Sequence, residues 1–206
     1  MKNGFIALTS LAVVGAGAAL AQQATSLPQA RVDLAVRESW RTVSPDWRER
    51  LVQDRTMREC SVARNKPPPA LAATITAREK ETVVYPEDGN FLGDWKKGEE
   101  LAQSGYGLRF SDYPAARENG GNCYACHQLD SNELSYGTLG PSLQRYGKTR
   151  NFSAAEAKTL YERIYNPQSQ TACAHMPRFG ANKILTIEQI KDIVALLMDP
   201  ESPINK

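Results

Sequence analysis

Gly120-Gly121-Asn122-Cys123-Tyr124-Ala125-Cys126-His127 contains the pattern C-x-x-C-H, and its reading decides the rest of the chain. Thiols at i and i+3 share one side of a helical turn, where each can add to one vinyl group of a haem, and the histidine that follows points an imidazole at the iron. The pattern also fits a thioredoxin-like C-x-x-C or half of a zinc site. The first should sit beside a βαβ pattern, and none is visible. The second would have to recruit Cys173, Cys60 and His175 from distant parts of a chain with only four cysteines and two histidines. Covalent attachment of one haem c through Cys123 and Cys126, with His127 as an iron ligand, is the expectation.

The flanks of this motif are helical. Asp94 to Gln103 reads as a helix that stops near Ser104-Gly105, and residues 104–122 form a loop rich in glycine and aromatics, with Tyr106, Phe110 and Tyr113. Downstream, Ser153-Ala-Ala-Glu156 predicts a capping box and a helix whose apolar stripe is Ala157, Leu160, Tyr161 and Ile164, ended by Asn166-Pro167. Thr186-Ile-Glu-Gln189 predicts a second box. The helix it opens runs to about Met198, with Ile190, Ile193, Val194 and Leu197 at i, i+3, i+4 and i+7, before Asp199-Pro200 stops it. Upstream, Ser44-Pro45-Asp46 is a helix start, and the helix is expected to reach about Val62 before Pro67-Pro68-Pro69 breaks the chain. Residues 70–82 read as another helix, Val83 to Pro86 as extended, and Asp88-Gly89 as a turn.

A haem held by one histidine needs a sixth ligand or leaves an open position. Met57, Met176, Met198 and His175 are the candidates. Met198 falls on the apolar stripe of the last helix and Met57 lies far upstream. Met176 sits in the irregular stretch Cys173-Ala-His-Met-Pro-Arg-Phe-Gly180, where a loop can lay a thioether against the far face of the haem and Pro177 stiffens it. Met176 is the expected ligand, with its neighbour His175 as the competitor. A neutral thioether favours Fe(II) and raises the potential, and a six-coordinate iron has no vacant position for substrate, which points to electron transfer. Cys60 and Cys173 are left over. They are expected to pair, clamping the upstream helices onto the Met176 loop; two free buried thiols, or a reactive Cys173, are the competing readings.

Length and charge fit this picture. The 206 residues suffice for one domain with an extension, and the formal charge of +2 argues against a nucleic-acid binder, which would be strongly basic. Residues 31–66 hold nine basic and six acidic side chains, whereas residues 90–206 are balanced. Lys2, the uncharged run Phe5–Leu20 and Ala19-Leu20-Ala21 read as a secretory signal peptide (residues 1–21) cleaved after Ala21; the run is too short to span a bilayer, and no later stretch does so. The organisation expected is a removed signal at 1–21, an N-terminal helical extension at 22–93 and a haem domain at 94–206.

The segments GDWKKGEELAQSGYG, GGNCYACHQLD, YGTLGPSLQRYGKTRNF, CxxMPRFG and LTIEQIKDIVALLMDPESPINK together resemble the SoxX family, monohaem subunits of the SoxAX cytochromes of sulfur oxidation, and the region from Asp94 to Leu197 looks like a class I cytochrome c domain. The resemblance implies a mainly α, class I cytochrome c fold with an N-terminal helical extension, in a periplasmic protein. It implies a heterodimer with SoxA that acts as an L-cysteine S-thiosulfotransferase, coupling thiosulfate oxidatively to a cysteine of the carrier SoxYZ. The sulfur chemistry would belong to SoxA, and this chain would pass electrons to a soluble cytochrome c, so no catalytic residue is expected in it. Residue by residue, Cys123 and Cys126 would hold the haem, His127 and Met176 would ligate iron, and the Pro141 carbonyl would accept the His127 Nδ1–H. The alternative is a free periplasmic monohaem electron carrier, for which the long stretch before Asp94 would be superfluous.

Overall fold

The computed structural model describes residues 27–43, 48, 50–112 and 117–206. The signal segment at 1–21 and the helix start at Ser44-Pro45-Asp46 lie outside the described residues. The chain is mainly α. Its helices are α1 (Gln29–Ser39), α2 (Arg55–Val62), α3 (Pro69–Lys80), α4 (Trp95–Gln103), α5 (Ala154–Tyr165) and α6 (Ile187–Met198), joined by irregular segments and short 3-10 turns.

Three helices and the haem motif make the core. α4 crosses α6 closely because Gly98 presents no side chain: a Cβ there would lie 2.1 Å from the Asp192 carbonyl oxygen and 3.0 Å from the Leu196 Cβ. Asp94 caps α4, its carboxylate accepting from the Lys96 N–H at 2.9 Å. α6 begins with the expected box: Thr186 Oγ1 accepts from the Gln189 N–H, and the Gln189 side chain accepts from the Thr186 N–H at 2.9 Å. Ile190, Ile193, Val194 and Leu197 are buried, as is Met198, which is core. α5 packs on α6 through Ala157, Leu160, Tyr161 and Ile164, all buried as the stripe requires. Removing such faces from water, at roughly 25 cal/mol per Å² of apolar area, is what holds short helices together.

Two expectations need correction. The Ser153 box does not form, and Ser153 makes no side-chain cap. Glu156 is taken instead by the Tyr146 hydroxyl at 3.0 Å and Arg150 Nε at 3.2 Å, partners from outside the helix that outcompete the local bond. The helix expected to run from Pro45 to Val62 is interrupted at residues 51–54, and α2 starts afresh at Arg55 because Asp54 caps it, accepting from the Met57 N–H at 2.8 Å. A further helix, α1, has no buried residue and so no apolar stripe by which periodicity would find it.

From α2 onward the extension is fastened to the haem domain at several points. Cys60 on α2 is disulfide-bonded to Cys173, and the bridge is packed by Ile75, Leu71 and Ala172. α3 lies on the 3-10 turn Pro167–Ser169 that follows α5. Lys80 and the Tyr85 hydroxyl both bond the Glu162 carboxylate, the tyrosine at 2.7 Å. Burial opposes ionisation of Glu162, but these bonds hold its carboxyl below the usual range. The Tyr161 hydroxyl donates to the Val84 carbonyl at 2.8 Å, and Phe91 packs tilted on the Tyr161 ring at 5.3 Å. The strap ends where the Gly93 N–H donates to Lys191 O at 3.1 Å and the Asp94 N–H to Asp192 Oδ1 at 2.7 Å.

Candidate haem site

Asn122 takes a left-handed conformation (φ 48°) and turns the chain into a single 3-10 turn, Cys123–Ala125. The N–H groups of Cys126 and His127 both donate to Cys123 O, at 3.1 and 2.9 Å. The two thiols are half-buried and unpaired. Burial pushes the Cys123 thiol up to about 12.

The opposing strand of chain, residues 137–143, is stitched to this turn by backbone bonds. Gly137 N–H donates to Tyr124 O at 2.8 Å, Gly140 N–H to Cys126 O at 2.8 Å, and Leu143 N–H to Gln128 O at 2.7 Å. The stitching places the Pro141 carbonyl 2.8 Å from His127 Nδ1. A carbonyl only accepts, so Nδ1 carries the proton and Nε2 presents its lone pair, the tautomer a metal ligand needs. Gly140 makes room for the ring: a Cβ there would lie 2.1 to 2.7 Å from its atoms. In the sequence the Gly140-Pro141 pair points only to the proline carbonyl; the need for a glycine at 140 shows in the fold.

Met176 is half-buried and packs against the main core cluster, whereas His175 is exposed. Met57, on α2, is remote from that cluster in the chain, and Met198 is enclosed in α6 packing. Cys173, which a zinc reading would recruit, is committed to Cys60. The residues therefore fit a haem c: two free thiols, one imidazole held in the ligating tautomer, and one thioether on the inner side of its loop.

The surroundings of Met176 were not legible in the sequence. Arg178, two residues on, reaches Asp54 with Nη2 and Glu79 Oε2 with Nη1, the latter at 3.4 Å. Glu79 is itself buried and also accepts from Asn166 Nδ2 at 2.7 Å and from the Thr56 hydroxyl. Gly180 lies flat on the Tyr165 ring, and its N–H donates to Tyr165 O at 3.0 Å.

Comparison with known proteins agrees with this geometry. The family model for cytochrome c matches residues 113–199, which span the C-x-x-C-H motif, Pro141, Met176 and all of α6. The chain carries a cytochrome c domain. An uncharacterized lipoprotein of Aquifex aeolicus (strain VF5) is 46% identical over 160 residues, covering 75% of this chain and 73% of that protein. The match is long enough to take in part of the extension beside the cytochrome c domain. The domain implies covalently bound haem and haem-based electron transfer, on a class I, mainly α fold. No helix among the described residues is long and apolar enough to cross a membrane.

Proposed function

We propose that this cytochrome c is the electron-transferring subunit of a SoxAX-type L-cysteine S-thiosulfotransferase, working with SoxA, the carrier SoxYZ and a soluble cytochrome c acceptor. The observation that carries the reading is an extension bonded covalently and ionically to the loop of the candidate sixth ligand Met176, in a domain whose haem-motif histidine is held by the Pro141 carbonyl. Bound haem supplies a one-electron Fe(III)/Fe(II) couple, raised in potential by thioether ligation. The chain's own residues set the terms of that couple. Cys123 and Cys126 fix the group in place, the His127–Pro141 bond orients the imidazole and raises its basicity, and Met176 provides the soft ligand.

The reaction served is R–SH + S₂O₃²⁻ → R–S–S–SO₃⁻ + H⁺ + 2 e⁻, in which the thiol loses its proton and the new S–S bond joins its sulfur to the outer sulfur of thiosulfate. The S–S bond forms on the partner's side, and this chain carries the electrons away singly. Surfaces for partners are present. α1 buries nothing and leaves Leu34 and Trp40 exposed. Export to the periplasm fits the leader at residues 1–21 and the disulfide. The relative's name as a lipoprotein concerns that protein.

Co-expression with SoxA tests the proposal. The two chains should co-elute as a heterodimer, and thiosulfate with SoxYZ should reduce the haem. A chain that remains monomeric, and oxidised, with every Sox component present would sink the subunit reading and leave a free electron carrier.

A further inference from the structure

The loop that presents Met176 has little backbone support of its own. Among the described residues, no backbone carbonyl accepts from the N–H groups of His175, Met176 or Arg178. Its position rests on the side chains at its two ends and, past Arg178, on two backbone bonds, from the Asn182 N–H to Arg178 O at 2.9 Å and from the Gly180 N–H to Tyr165 O at 3.0 Å. On one side, three residues before Met176, Cys173 is bonded to Cys60 of α2, and its N–H donates to Gln168 Oε1 at 3.3 Å. On the other side, two residues after Met176, the Arg178 guanidinium is largely buried between Asp54, the cap of α2, and Glu79 of α3. Every one of those side-chain anchors outside the loop, Gln168 excepted, belongs to the extension.

We propose that Arg178, held by Asp54 and Glu79, is the positioning residue that keeps Met176 on the haem iron, so that the extension governs the sixth ligand. The inference rests on the reading of His127 and Met176 as the ligand pair and adds to it the element that sets how often the loop opens. The Cys60–Cys173 bridge fixes where the loop begins but leaves the backbone after Cys173 free to turn. The guanidinium fixes where it ends. Charge-assisted bonds from Arg178 to two carboxylates at once restrict both position and direction, as a single ion pair would not. Phe179, buried in the core, continues the anchoring beyond Arg178 but lies one residue further from the ligand.

Imidazole binding to the ferric holoprotein reads the opening directly, because apparent affinity for a competing ligand scales with the fraction of molecules whose loop is open. In Arg178→Ala, imidazole should bind about tenfold tighter or more, the factor for losing a hydrogen bond to a charged group. The near-infrared sulfur-to-iron band should weaken. Arg178→Lys, which keeps the charge between the two carboxylates, should restore part of both. Thermal unfolding of the same variants registers a merely structural role. If Arg178→Ala lowers the melting temperature while imidazole affinity and the near-infrared band stay at wild type, the positioning role is overturned. Met176→Ala separates this from the underlying reading: a band that survives in that variant removes Met176 as ligand, and the proposal with it. A band lost in Met176→Ala but untouched in Arg178→Ala removes the positioning role alone.

Discussion

Breaking the Cys60–Cys173 bridge should destabilise the whole protein, and the size of the effect follows from the loop it closes. The two cysteines are 113 residues apart. Loop-closure entropy for that length stabilises the folded state by about 4.8 kcal/mol as an upper figure. In the double variant Cys60→Ala, Cys173→Ala both side chains are small and buried, and Ile75 and Leu71 remain around them, so little else is lost. The assay is urea unfolding of purified holoprotein followed by far-ultraviolet circular dichroism. With a slope of about 2 kcal/mol per M, the midpoint should fall by about 2 M. A midpoint shift under about 0.5 M with the slope unchanged would refute the reasoning, because the bridge would then not be constraining the unfolded chain. Two separate transitions in the variant, where the wild type shows one, would mean that the bridge also makes the extension unfold together with the haem domain.

Gly140→Ala should push the His127 ring off its seat, since the new Cβ would lie within 2.7 Å of three ring atoms. Overpacking of this kind costs about 1–3 kcal/mol, and haem content per chain, measured as the pyridine haemochrome, should fall together with the melting temperature. Asp112 gives a pH signature. The Arg109 side chain bonds its carboxylate at 2.9 Å, burial opposes ionisation, and the N–H groups of Gly107 and Arg109 add further bonds, so the carboxyl is held below its usual range. A lowered folded value means stability that is present above the unfolded value of about 3.9 and is lost as pH falls through the folded one. Asp112→Asn should therefore be less stable than wild type at pH 7, and the gap should close as acid-unfolding curves pass below about pH 4. A gap that stays constant across that range would mean the carboxylate charge is not what Gly107 and Arg109 recognise.

The sequence was most legible where structure is decided locally. Asp94 and Thr186 cap their helices as their neighbours require, and the apolar stripes of α5 and α6 face the core in the register their spacing gives. Ser153 shows how the same local logic fails: Glu156 meets the reciprocal spacing, but Tyr146 and Arg150, which no window around Ser153 includes as partners, hold its carboxylate. α1 was invisible because a helix that buries nothing leaves no stripe. The Cys60–Cys173 pairing could be expected from counting thiols. The contacts of Arg178 with Asp54 and Glu79 span 124 and 99 residues, carry no motif, and emerge only when the extension is folded onto the domain. C-x-x-C-H announced the cofactor, while the seat for the imidazole at Gly140 needed the fold to show it.

The bridge also bears on how the chain is made. Four cysteines can pair in three ways, and here they have opposite fates: Cys60 and Cys173 are oxidised against each other, whereas Cys123 and Cys126 must stay reduced until haem is attached. Both haem thiols lie inside the ring of chain that the disulfide closes. A chain emerging from its N-terminus presents Cys60 first, Cys123 and Cys126 next, and the proper partner Cys173 last. An oxidant acting early therefore finds only wrong partners for Cys60. A host that oxidises thiols quickly but attaches haem slowly should therefore accumulate chains in which Cys60 is joined to Cys123 or Cys126.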